Sequence, residues 1–95
     1  MYARVVRFTD IDRQRIEDMK GQIESGEDAP EGMPSSTLRM FIDESQGTAG
    51  VIMFFESEAD MRKADEVLNA MDSTDTPGTR ASVDQGEVLI ETQTP

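Results

Sequence analysis

The chain predicts an α+β fold in the order β-α-β-β-α-β, and three stretches carry that expectation. The first is Gly50-Val51-Ile52-Met53-Phe54-Phe55, apolar without alternation, which reads as a strand covered on both faces. The second is the helix that follows at once. Ser57 is its N-cap and Asp60, three residues on, completes a capping box. Met61, Ala64, Leu68 and Met71 then recur at helical spacing, with Arg62, Lys63, Asp65, Glu66 and Asn69 on the other side. The third is the opening stretch, Met1-Tyr2-Ala3-Arg4-Val5-Val6-Arg7-Phe8, rich in β-formers and ended by a second helix-start signal. A strand–helix rhythm thus occurs twice. Together with a hairpin and a closing strand it gives the split β-α-β, or ferredoxin-like, arrangement: a four-stranded antiparallel sheet with two helices on one face.

Each element has a local reason. Thr9 with Asp12 repeats the capping-box spacing, so the first helix is expected over 10–25, with Ile16, Met19 and Ile23 on one face and Gly26 as a left-handed stop. Gly21 inside it costs about 1 kcal/mol against alanine. Residues 25–36 hold Gly26, Pro30, Gly32 and Pro34 among acids and read as a loop. Thr37-Leu38-Arg39-Met40-Phe41-Ile42-Asp43 is a strand with Leu38, Met40 and Ile42 on one face and Arg39 and Phe41 on the other. Glu44-Ser45-Gln46-Gly47 turns it into the central strand as a hairpin. A second polar loop over 72–78 leads to a last strand over 79–91, with a bulge expected at Gln85-Gly86. Residues 1–95 form a single domain.

Composition removes several function classes. The chain of 95 residues has no cysteine, hence no disulfide and no thiolate metal site, and no histidine, which removes the usual general base and the commonest transition-metal ligand. No metal site, heme or other cofactor is expected. A net charge of −11 argues against nucleic acid and anionic membrane as partners. The apolar runs fall far short of the ~20 residues that cross a bilayer, and the start shows no basic region followed by an apolar one and a cleavage site. A cytoplasmic protein is the expectation.

Candidate chemistry is sparse. Asp10-x-Asp12 and Asp72-x-x-Asp75 offer oxygen ligands but double as helix-end and turn residues, and Glu56 and Glu58 flank a helix start where the dipole already favours acids. Met33, Met40, Met53, Met61 and Met71 suit a soft pocket wall or plain core filling. Arg4, Arg7 and Arg39 lie inside strands, to pair with acids across the dimer or, some of them, to hold an anionic group of a ligand. Ile52 and Phe54 point to the sheet face that the helices leave bare, beside Phe41. Leaving such side chains in water forgoes about 1.5–3 kcal/mol each, and the same face of a second copy is the simplest cover. A homodimer through Ile52, Phe54 and Phe41 is therefore expected.

The chain resembles the dimeric α/β-barrel superfamily, and within it small bacterial antibiotic-biosynthesis-monooxygenase-like proteins of unknown function. The carrying residues are the opening Met1-Tyr2-Ala3-Arg4-Val5, Gly32 ahead of the second strand, the hairpin from Asp43 to Gly50, and above all Phe55-Glu56-Ser57-Glu58-Ala59, which looks like the family's Trp-Glu-Ser-x-Glu-Ala junction. The resemblance implies a ligand pocket between sheet and helices. Its oxygenases place a tryptophan where this chain has Phe55 and an asparagine on the first strand, where Arg7 or Phe8 stands. Heme-degrading members need a histidine that is absent here.

The expected function is binding of a small apolar or aromatic molecule between sheet and helices. Val51, Met53, Phe55, Met61, Ala64, Leu68, Tyr2 and Arg7 are the pocket candidates, and the 25–36 loop is a candidate lid. A cofactor-independent monooxygenase acting on an aromatic or quinol substrate is the alternative, and a purely structural dimerisation domain a second one.

Overall fold

The computed structural model describes residues 1–25, 32–70 and 76–94, the side chains of residues 22, 23 and 25 excepted. Its elements are β1 (Tyr2–Thr9), α1 (Arg13–Ser25), β2 (Thr37–Asp43), β3 (Thr48–Phe55), α2 (Glu58–Asn69) and β4 (Thr79–Glu87). Among the described residues the strands form one four-stranded sheet in the order β2-β3-β1-β4, every neighbouring pair antiparallel. This is the ferredoxin-like α+β topology that the residue pattern predicts.

Strand alternation divides the sheet into two faces. Val6 and Phe8 of β1 join Ala49, Val51, Met53 and Phe55 of β3 and Met61 and Ala64 of α2 in one buried cluster. Leu38, Met40 and Ile42 of β2, Val83 of β4 and Leu68 of α2 pack at its margin. Ile16 of α1 is also buried. The helix α2 sits on this face because Ser57, in extended backbone, accepts a hydrogen bond from the Asp60 amide at 3.1 Å and so starts the helix where the chain leaves β3. On the other face lie Ala3, Val5 and Arg7 of β1, Ile52 and Phe54 of β3, and Arg39 and Phe41 of β2, as the register requires. Phe41 lies across Gly50. A Cβ at residue 50 would come 2.4 Å from the ring, so the bare glycine backbone is what lets the ring lie flat on the sheet.

Two expected boundaries and the position of the bulge are corrected. The first helix starts at Arg13, three residues later than the Thr9–Asp12 spacing suggests. Asp12 is the residue that caps it, accepting from the amides of Gln14 at 2.9 Å and Arg15 at 3.3 Å. Residues 10–12 are instead tied into the loop layer: the Ile11 amide donates to Gly47 O and the Asp12 amide to Pro77 O, while Asp10 takes a left-handed φ of 51°. The last strand ends at Glu87, not residue 91. Beyond it β1 runs out of partners, and only the Val88 amide still reaches Met1 O, at 2.9 Å. The bulge lies at the opposite end of β4 from Gln85-Gly86. Arg7 pairs with Ser82 but Phe8 with Arg80, which makes Ala81 the extra residue. The expected stop at Gly26 and the helical position of Met71 lie outside the described residues.

Candidate functional site

The helix-facing layer has a packed end and an open end. At the packed end Phe55 is 2 % exposed, and Val51, Met53, Met61 and Ala64 are buried around it in the same cluster. Five of the eight pocket candidates are thus brought together as core. Tyr2 sits at the edge of this cluster, half-buried. The Glu87 carboxylate facing it across the β1–β4 ladder raises its phenol above the ordinary value, with burial and Glu58 adding to the effect, so the hydroxyl is held as a donor. Arg7 is not part of this layer. It is exposed on the opposite face with Val5, because the period of two that buries Arg4, Val6 and Phe8 turns residue 7 outward. Half of the expected lid, residues 26–31, lies outside the described residues, and of its described part Met33 packs against the core.

The open end is a cleft of about 430 Å³. Leu68, near the end of α2, forms its apolar floor, and Asp10, from the loop before α1, and Arg15, in the first turn of α1, stand on one side. The other side is the lead into β4, with Thr76, Thr79 and Arg80. The walls approach closely because Gly78 has no side chain. A Cβ there would meet Thr9 O at 2.5 Å, so backbone packs on backbone where β4 begins. Thr76 Oγ1 donates to Gly78 O at 2.8 Å, and Arg15 Nη2 reaches Thr76 Oγ1 at 3.5 Å.

A polar network runs from the core into this cleft. Arg4 is 3 % exposed, a charged group inside the helix–sheet layer, and its Nε donates to Asp65 Oδ1 at 3.0 Å. Its Nη2 donates to Asn69 Oδ1 at 3.4 Å. The same oxygen accepts from Arg80 Nη1 at 2.6 Å. Two guanidinium groups therefore converge on one amide oxygen, which fixes the Asn69 amide with its oxygen toward both. Arg4 is one of three strand arginines that the sequence marks; its acid is in its own chain, one helix away. Asn69 and Arg80 were not among the sequence candidates. Alternation along 79–87 puts Arg80 on the open face, and only the extra residue Ala81 turns it toward α2.

Among the described residues no group of three or more acidic side chains is placed to hold a metal ion, and no helix is long and apolar enough to cross a membrane. The fold and the cleft define a small ferredoxin-like α+β domain with an arginine-lined opening, among the described residues, at the end of its helix–sheet layer. No protein-family model and no curated protein matches the chain.

Proposed function

We propose that this is a small-molecule-binding domain of antibiotic-biosynthesis-monooxygenase-like character, taking a compound with an apolar or aromatic body at the Leu68 end of the layer between sheet and helices. The observation that carries this reading is the cleft itself. Its volume of about 430 Å³ is in the range of small-molecule sites, and its lining is mostly polar, with Leu68 as its apolar side chain. Binding rather than oxygenation is favoured by Phe55, which occupies the family's tryptophan position, offers no indole N–H and is packed wholly into the core. The domain works in the cytoplasm as a homodimer. Support for the dimer comes from the bare sheet face, where Val5, Ile52, Phe54 and Phe41 lie beside Arg7, Arg39 and Asp84. A two-fold pairing of that face covers the apolar group and sets the arginines of one copy against acids of the other.

The test is an amide-resolved NMR titration with a panel of small aromatic compounds, paired with oxygen uptake on a panel of reduced quinols. Shifts grouped around Leu68, Asn69 and Arg80 without oxygen consumption support the reading. Turnover of a quinol gives the site to an oxygenase, and a cleft untouched by the whole panel sinks the binding function.

A further inference from the structure

The protein as a whole carries −11, so an anion is repelled from most of its surface. The described lining of the cleft includes Asp10, Arg15 and Arg80, and Arg15 is already engaged, with the Thr76 hydroxyl among its partners. Arg4, one layer further in, is offset by Asp65. The start of α1 and the end of α2 both border the opening, so their dipoles oppose one another and leave the side chains to decide. Arg80 is the side chain that decides. It is exposed, its Nη1 is fixed on a neutral amide oxygen, and no carboxylate among the described residues pairs with it. With Nη1 taken by Asn69, the parallel N–H groups of its Nε–Nη2 edge remain, a fork that matches a planar carboxylate.

We propose that the cleft selects a small organic acid, with Arg80 holding its carboxylate and Leu68 supporting its apolar body. This rests on the binding function proposed above and names the class of ligand. A monoanion fits better than a phosphate dianion, because the one open guanidinium edge, that of Arg80, matches a single planar carboxylate. The bulge at Ala81 acquires a purpose here. Without it Arg80 would pair opposite Thr9 and point to the bare face; with it, Arg80 turns to the α2 side and stays exposed at the mouth of the cleft.

The experiment compares benzoate with benzamide, which keeps the ring and loses the charge, on the full chain. Asn69 is the sole asparagine, so its side-chain amide is a direct reporter beside the Thr79 and Arg80 backbone amides. Benzoate should move these signals and bind about tenfold more tightly than benzamide, the size of one charge-assisted hydrogen-bond pair. Arg80→Gln should remove that preference and Arg80→Lys restore part of it, with the thermal midpoint of both variants unchanged because the side chain is exposed. Equal binding of benzoate and benzamide at the cleft overturns the acid selectivity and leaves the binding function standing. Benzoate affinity that survives Arg80→Gln, or inorganic phosphate displacing benzoate at equal concentration, also overturns it. If neither aromatic compound reaches the cleft, the binding function itself fails.

Discussion

Phe55 and Phe41 belong to adjacent strands of one sheet, yet the first is 2 % exposed and the second 57 %. Phe55 packs beneath α2, whereas Phe41 lies over Gly50 on the face that no described helix covers. Arg4 and Arg7 repeat the contrast three residues apart on β1: one is buried against Asp65, the other is solvated. The two faces teach that residue type does not set what a side chain contributes here. Strand parity and the position of α2 do.

The largest effect should separate the two phenylalanines. Phe55→Ala opens a cavity under α2 and should cost about 3–5 kcal/mol, against less than about 1 kcal/mol for Phe41→Ala in dilute protein. Urea unfolding of both variants measures this, and equal losses would erase the distinction between the faces. Next comes the arginine pair. Asp65→Ala leaves the Arg4 guanidinium in the layer without its carboxylate and should cost about 3 kcal/mol, while Arg7→Gln should stay within about 0.5 kcal/mol. Replacing both partners, Arg4→Met with Asp65→Leu, should recover most of the loss. A double variant as weak as Asp65→Ala alone would mean that packing around Arg4, and not its charge, is what matters.

A smaller effect tests the bare face directly. Ile52→Asp should abolish the rise of the thermal midpoint with protein concentration that a dimer requires, and leave the dilute monomer folded. A midpoint independent of concentration in the parent protein would remove the dimer from the proposal. The smallest expected effect is at the hairpin that joins β2 to β3. Asp43 accepts hydrogen bonds from the Ser45 hydroxyl at 2.6 Å, the Gln46 side chain at 2.8 Å and two backbone amides. These bonds, the Ser45 hydroxyl first, hold its carboxyl below the usual value even though burial opposes them. A lowered folded pKa means that this stabilisation is fully present above the unfolded value of about 3.9 and is lost as pH falls through the lower folded value. Asp43→Asn should therefore flatten the acid limb of the stability curve, with a small loss at pH 7 that disappears once pH falls below the folded value. An unaltered acid limb would show that the turn closes without that charge.

What was legible in the sequence follows the same division. Val51, Met53 and Phe55 alternate with Ile52 and Phe54, and Ser57 with Asp60 marks the helix start, so the β3–α2 unit could be read from neighbours in the chain. The start of α1 could not. Thr9 and Asp12 have the spacing of a capping box, and what overrules it is contact with Gly47 and Pro77, far away in sequence. Arg7 was grouped with the pocket through a family position, whereas parity with Val6 and Phe8 puts it outside. Arg80 and Asn69 stayed hidden because the bulge falls on an alanine. Gly86 is the residue that advertises a bulge, yet it pairs regularly with Ala3.

The strand order also bears on how the domain comes to fold. β1 is central, but Val5 pairs with Ile52 on one side and Asp84 on the other, and neither partner is near it in the chain. The β2–β3 hairpin needs only its own short turn and can close in microseconds. β1 emerges from synthesis ahead of both neighbours, an apolar strand with two unpaired edges until β3 is available. Its docking is a long-range closure of the kind that slows folding, and β4 joins the sheet through β1. In this protein the most hazardous interval is therefore the wait of the first strand, and a chaperone that shields residues 2–9 would raise yield without touching the stability of the finished fold.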